Sequence, residues 1–336
     1  MVVPDPAPVP AFADLLVAAL GCPVAPGARL AVAVSGGPDS LALLWLAAAA
    51  FPGRTVALTV DHRLRTGSDA EAAAVSAYCA TVGVPHATLV WAEPDARRNV
   101  QATARAARYA LMGGWCAANG VGMLLTAHHL DDQAETLLLR LARGSGNGGL
   151  AGVRRVRDLR PGVRLVRPLL GVRRAALAAI SAATGWDAVY DPANHDPRHD
   201  RTAARAVLAA TPWLAPSRLA AAATNLGDAE AALEWATARA WAGGAVAAGD
   251  TVSLCVTGLP DELVRRLVVR ALMLLAPDVR PDGRRVVALM RTLAAGETAT
   301  LAGIKARGGA IWHFSRAVSR RKIRQEALQA RQNRTG

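Results

Sequence analysis

Ser35-Gly36-Gly37-Pro38-Asp39-Ser40 stands between two apolar runs, LAVAV before it and LALLWLAAAA after it. The pattern is strand, small-residue turn, helix. Two glycines let the backbone come close to an anion, and proline suits a first helical turn, where its missing N–H costs nothing. Amides left open at the helix start, aligned with the helix dipole, then form a cradle for phosphate. The loop is not Walker A, which needs a lysine that this chain lacks before Lys305, and it is not a GxGxxG turn. A carboxylate repels phosphate, so Asp39 fits such a loop if Mg²⁺ lies between the two.

A second group is His128-His129-Leu130-Asp131-Asp132-Gln133-Ala134-Glu135-Thr136, again at a strand end opening a helix. Asp132 and Glu135, three apart, share a helix face, as do Asp131 and Glu135, four apart. One carboxylate can hold a metal while another handles a proton. Acids in a first turn also complement the helix dipole, which accounts for one or two of them but not for the histidines before them. Zinc is disfavoured at His128 and His129, because adjacent side chains diverge and no HExxH spacing exists. Arg105 and Arg108 share a helix face and would, taken alone, be a solvated pair. Asp61 and His62, at the end of another apolar run, are well placed to reach a nucleotide.

The elements that must position these residues alternate along the first half of the chain. Leu30–Val34, Thr55–Asp61, His86–Trp91 and Val121–Ala127 read as buried strands, with a fifth at Val163–Arg167. Helices are expected over about 39–51, 69–83, 99–118 and 131–143, the order of a parallel sheet covered by helices. Ligands of such sheets collect beyond the carboxyl ends of the strands, so both motifs project toward one edge. The Gly-rich run RGSGNGGLAG closes this region. From Pro216 the texture becomes alanine-rich and helical to about 245, with helices near 260–276 and 282–295 and a small hairpin from Thr298–Ile304 and Ala310–Phe314. The expected organisation is an N-terminal extension with a helix (1–27), an α/β catalytic domain with a parallel sheet and flanking helices (28–214), a smaller, mainly helical domain (215–315) and a basic tail (316–336).

Composition narrows the class further. With 52% hydrophobic residues in 336, wholesale disorder is excluded. No apolar run reaches the roughly 20 residues of a membrane span, and the proline-broken N-terminus has no basic signal region. Cys22, Cys79, Cys116 and Cys255 form no CxxC pair, so the chain reads as a reduced, cytoplasmic protein without a disulfide framework. The net charge of +13 is unevenly spread: residues 1–150 carry 10 Arg against 11 acids, 151–215 carry 11 against 5, 216–300 balance, and 301–336 carry 9 basic groups against Glu326. Arginine-rich base composition explains arginine in place of lysine but not this localisation, which reads as a footprint for a polyanion.

On these residues, SGGPDS resembles the PP-loop of the ATP pyrophosphatases, which cleave ATP between its α- and β-phosphates. VDHRLRTGS, NVQATARAARY, AHHLDDQAETLLLRLARGSGNGGLAG and RPLL are similar, in order and spacing, to the tRNA(Ile)-lysidine synthetases. DPANHDPRHDRTAAR resembles that family's segment ending in Arg-Asn-x-x-Arg, with Thr202 where the family favours Asn, which loses an amide. The likeness is strong over about 28–210 and weaker beyond 216. It implies that ATP adenylates the C2 oxygen of the wobble cytidine (position 34) of a tRNA(Ile) with a CAU anticodon, and that free L-lysine then displaces AMP. It further implies that Ser35, Gly36, Gly37, Pro38, Asp39 and Ser40, with Asp61 and His62, bind the nucleotide and that Asp39 holds Mg²⁺. Arg108 would stabilise developing charge, Asp132 and Glu135 would receive the lysine ammonium, and His128 would support the site. Arg201 and Arg205, with Arg320, Arg321 and Lys322 of the tail, would contact tRNA. The extra C-terminal domain of longer members is expected to be absent, and a homodimer stays open. The competing readings are a PP-loop sulfur-transfer enzyme acting on tRNA, for which the cysteine pair is missing, an amidating ligase on the same nucleotide domain, and an inactive RNA-binding module.

Overall fold

The computed structural model describes residues 11–64, 67–92, 100–186 and 200–317. The chain divides into two compact units at Asp228/Ala229. The divide lies within the long helix Pro216–Gly244, whose start coincides with the change of texture in the sequence.

In the first unit, β1 (Leu30–Ala33), β2 (Thr55–Asp61), β3 (His86–Val90), β4 (Met123–Leu125), β5 (Val156–Arg160) and β6 (Val163–Val166) form one sheet in the order β3-β2-β1-β4-β6-β5. All neighbours are parallel except β5, which runs antiparallel to β6. The period-two alternation of side chains splits each strand between two cores. Leu30, Val32, Ala57, Leu125 and Val166 pack with α1 (Phe12–Leu20), α2 (Pro38–Ala50), α3 (Ser68–Thr81) and α7 (Arg174–Ala183). Ala31, Val56, Leu58, Leu124 and Leu165 face α4 (Val100–Ala118) through Tyr109, Met112 and Cys116. Burial on both faces is why these strands read as continuous apolar runs. The strand order reverses between β1 and β4, and α2 and α5 (Leu130–Ala142) begin just beyond those two strands.

Two features correct the expectations. The strand at 163 ends at Val166, and β5 pairs beside it as an antiparallel edge strand. VRDLR is half polar and exposed, with a register shift between Asp158 and Arg160, so it carries no clean strand period. The second unit holds α10 (Asp261–Leu275), α11 (Gly283–Ala294) and a five-stranded antiparallel sheet rather than a hairpin. Its order is β7-β8-β11-β10-β9, from β7 (Ala245–Ala248), β8 (Thr251–Leu254), β9 (Thr298–Leu301), β10 (Ile304–Arg307) and β11 (Trp312–Arg316). The turn expected at KARGG falls instead at Ala302-Gly303, both at positive φ (55° and 75°), as a two-residue hairpin loop requires. β7 is alanine-rich, and alanine has little strand preference of its own, so the sequence, read as helical to about 245, predicts no strand there.

Candidate functional site

The loop after β1 is built around Ser40. Its hydroxyl donates to the Gly37 carbonyl (2.8 Å) and accepts from the Ser35 amide (3.2 Å), with the Ser35 hydroxyl at 3.3 Å. Gly36 takes φ of 84°, which a side chain would resist. Gly37 is the N-cap of α2, Pro38 opens the helix, and no side chain caps the start. With no such cap, the start of α2 is free of a competing side-chain oxygen, although the Ser40 amide already donates to the Gly37 carbonyl (3.1 Å); that is the setting of an anion cradle.

The second motif meets this loop through a residue that the sequence reading passed over. His129, 2% exposed, is the N-cap of α5. Its Nδ1 accepts the Asp132 amide (3.3 Å) while its own amide donates to Asp132 Oδ2 (3.1 Å), a reciprocal capping box. Its Nε2 lies 3.5 Å from Asp39 Oδ2 and 3.7 Å from Asp132 Oδ2. Burial alone would lower its pKa, but the hydrogen bond to Asp39 and the charges of Asp132, Asp39 and Asp131 raise it on balance. The available signal was positional: a ring nitrogen directly before a helix, with an acid three residues on.

His128 turns elsewhere. Its ring nitrogens meet Thr126 Oγ1 (2.9 Å) and Arg105 Nη2 (3.4 Å). Burial, with Arg167, Arg105 and Arg201 outweighing Asp132, drives its pKa well below the usual histidine range, so the ring is neutral. With Nε2 accepting from Arg105, the proton sits on Nδ1 and points at Thr126.

The carboxylates of α5 separate by role. Asp131 accepts from the Arg174 amide (2.8 Å) and pairs with Arg173 (3.2 Å), fastening the start of α7. Asp132 is buried, with Arg201 Nη1 at 3.8 Å. Glu135 is 2% exposed; its Oε1 accepts from Arg205 Nε at 2.6 Å, and its Oε2 is buried with no partner among the described residues. Arg201 and Arg205 stand on α8 (Asp200–Ala210), so both arginines assigned to tRNA from sequence are brought to the α5 carboxylates. Gln133 clamps the Gly-rich segment, accepting from the Val153 amide (2.6 Å) and donating to its carbonyl (2.9 Å). A Cβ on Gly152 would lie 2.5 Å from Gln133 Oε1, so that approach needs glycine.

Of the remaining candidates, Asp61 turns into its own loop. It accepts from Ser68 Oγ (2.7 Å) and the Arg63 amide (2.9 Å), and these bonds outweigh burial to hold its pKa below the usual carboxylate value. Neighbouring His62 stacks edge-on with Trp91, its Nδ1 buried with no hydrogen-bond partner among the described residues, and burial together with Arg108 lowers its pKa. Arg108 lies against the Tyr109 ring (5.4 Å), at the edge shared with His62 and Arg201. Arg320, Arg321 and Lys322 lie outside the described residues.

The donor set can be tested against Mg²⁺. Asp39 Oδ1 is buried and has no hydrogen-bond partner among the described residues, which suits a hard cation. Among the described residues no group of three or more His, Cys, Asp or Glu forms a complete metal cage. A single open carboxylate oxygen beside a phosphate cradle fits Mg²⁺, which takes one or two carboxylates and completes its shell with substrate phosphates and water. Among the described residues no helix is long and apolar enough to cross a membrane.

Comparison with known proteins gives a consistent picture. Residues 14–211 match the model of a PP-loop domain family. A tRNA(Ile)-lysidine synthase of Zymomonas mobilis is 43% identical over 298 residues, covering 88% of this chain and 90% of the relative. One of Novosphingobium aromaticivorans is 46% identical over 304 residues, covering 89% and 92%. Among solved structures, the fold is similar to a U34-tRNA thiolase from Methanococcus maripaludis, with a TM-score of 0.54 at 14% identity, covering 65% of this chain and 78% of that one.

Proposed function

The chain belongs to the tRNA(Ile)-lysidine synthase family of PP-loop proteins, and from that premise we propose how its site joins free L-lysine to C2 of the wobble cytidine of a CAU-anticodon tRNA(Ile) in the cytoplasm. In the first step the C2 oxygen attacks the α-phosphorus of ATP and pyrophosphate leaves. In the second the lysine ammonium gives one proton to a carboxylate, the free amine attacks C2, AMP leaves with the former C2 oxygen, and the new C2–N bond's nitrogen gives up a second proton. The observation that carries this reading is His129, which ties the phosphate cradle to the α5 carboxylates within 3.5–3.7 Å.

Ser35, Gly36, Gly37 and Ser40 would cradle the departing pyrophosphate, with Pro38 setting the helix start. Asp39 would hold Mg²⁺, which when bound neutralises charge between the phosphates. Arg108 would offset negative charge developing at the α-phosphate or the activated base. Asp61 would keep the loop after β2 in place beside the nucleotide, with His62 in its wall. The lysine amine, with an ordinary pKa near 10.4, is almost wholly protonated at pH 7, a deficit of roughly 4–5 kcal/mol before it can attack. Glu135 Oε2, left open while Arg205 grips Oε1, supports a seat for that ammonium, with Asp132 as the neighbouring acceptor. Neutral His128 would line the base side. A sulfur-transfer reaction fits less well: Cys79 and Cys116 are buried in separate cores, and burial pushes both thiols up to about 11.

The test is product analysis. Incubation with ATP, Mg²⁺, labelled lysine and tRNA(Ile) should give AMP and pyrophosphate in step with labelled lysidine, and turnover should need both lysine and tRNA. ADP as the main product, or label absent from tRNA, would overturn the reading.

The basic tail makes a second expectation. A truncation should begin after Ala317, because Ser315 pairs with Lys305 and Thr251 inside the second sheet. Removing 318–336 takes away Arg320, Arg321, Lys322, Arg324, Arg331 and Arg334 with one acid, Glu326. If two to four of these contact phosphate, the slope of log K for tRNA against log salt should shrink by about 1.5–3.5. Chemistry at saturating tRNA should persist. An unchanged slope would show the tail to be a solvated bystander.

A further inference from the structure

Tyr109 is buried, yet three guanidinium groups crowd its ring: Arg105 at 5.3 Å, Arg157 at 5.3 Å and Arg108 at 5.4 Å from the centroid. Beside Tyr109 lies Arg167, 4% exposed, whose Nη1 donates to the Arg154 carbonyl at 2.6 Å and whose Nε is buried with no hydrogen-bond partner among the described residues. Among the described residues no carboxylate pairs with Arg105, Arg108, Arg157 or Arg167, whereas Arg173, Arg201, Arg205 and Arg266 each have one. Clustered like charges repel, and a buried guanidinium without a counter-ion is costly. The cation–π contacts with Tyr109, and the attraction of these arginines for its hydroxyl, which against burial holds the phenol below its usual pKa, offset part of that cost and leave a net positive charge. Such a cluster is stable for a reason when an anion completes it.

We propose that Arg105 and Arg157, set around Tyr109 with Arg167 buried among them as a further positive charge, form a seat for a backbone phosphate of the tRNA next to the reacting cytidine. This rests on the functional reading above. Position favours tRNA over ATP. The phosphate cradle opens α2 on one face of the sheet, while Tyr109 and α4 cover the other. Arg157 stands exposed on β5, the edge strand, where a long polymer has access. Arg105 reaches His128 at 3.4 Å, which joins the seat to the chemistry at Asp132. The arginine fork and the aromatic face together suit a nucleotide's phosphate and its neighbouring base.

The test is equilibrium binding of tRNA(Ile) across a salt series by the full chain, in the absence of lysine, for wild type and Arg105→Ala/Arg157→Ala. Both side chains are exposed, so the fold should survive. Losing two phosphate contacts should shrink the salt slope by about 1.5–2 and weaken binding on the order of 10- to 100-fold near 0.1 M salt. ATP affinity should be unchanged, and Arg105→Lys/Arg157→Lys should recover most of the slope. Unchanged tRNA affinity and slope would overturn the proposal, as would a loss of ATP affinity in place of tRNA affinity. A wild-type chain that binds tRNA but makes no lysidine would sink the functional reading and leave the seat standing.

Discussion

Alanine in place of Asp39 is expected to lower kcat at least about 100-fold, the scale seen when one group that acts on developing charge is removed. The side chain is 28% exposed and its ion-pair partner is His129, so little of the fold depends on it. Among the described residues its buried Oδ1 has no hydrogen bond to lose. The loss should appear in kcat more than in tRNA affinity, because a group that holds a cation against the phosphates acts mainly in the transition state. Asp39→Asn separates charge from shape: it should be almost as inactive as alanine if the carboxylate holds a cation. Asp132→Ala should cost a similar factor, and it also removes half of the capping box on α5. Near-normal kcat in the Asp39→Asn variant, measured at saturating ATP and Mg²⁺, would remove Asp39 from the metal site.

Arg205→Ala should destabilise the first unit by about 3 kcal/mol, the lower end of the cost of stranding one member of a buried ion pair, since Arg205 is itself 30% exposed. Glu135, 2% exposed, would be left with neither oxygen paired. Urea denaturation should show a lower midpoint with an unchanged slope. Replacing both partners, as Glu135→Leu/Arg205→Met, should return most of that stability, because the uncompensated charge is gone. Activity should not return, since the proposed ammonium acceptor is missing. A double variant that regains activity with its stability would show Glu135 to be structural only.

The local motifs were legible because their chemistry is contiguous in the chain. LAVAV-SGGPDS-LALL carries strand, cradle and helix within about one βα turn, and the structure keeps Ser35 through Ser40 together there. The parallel sheet was equally legible, since strands buried on both faces must be apolar throughout. The even spread of charge in 1–150 and its excess beyond 150 were also plain from residue counts.

Tertiary structure alone decided which neighbouring side chain does what. His128 and His129 differ in sequence by one position, and nothing local says which faces Asp39. The docking of the α5 start beside the α2 start, across the β1–β4 reversal, aims His129 at Asp39 and His128 at Arg105. Arg205 meets Glu135 from 70 residues away, so a pair that reads as two unrelated charges becomes one buried unit. β5, and β7 and β8 of the second sheet, escaped for the same reason. VRDLR and AVAA have weak strand preference and gain their conformation from partners, as Trp312–Ser315 shows by pairing with Thr251–Leu254. Sequence therefore determined what depends on the order of neighbours along the chain: the cradle, the strands buried on both faces and the charge balance. Pairings at long sequence separation depend on loop closure and packing that no short window contains, and the fold alone set them.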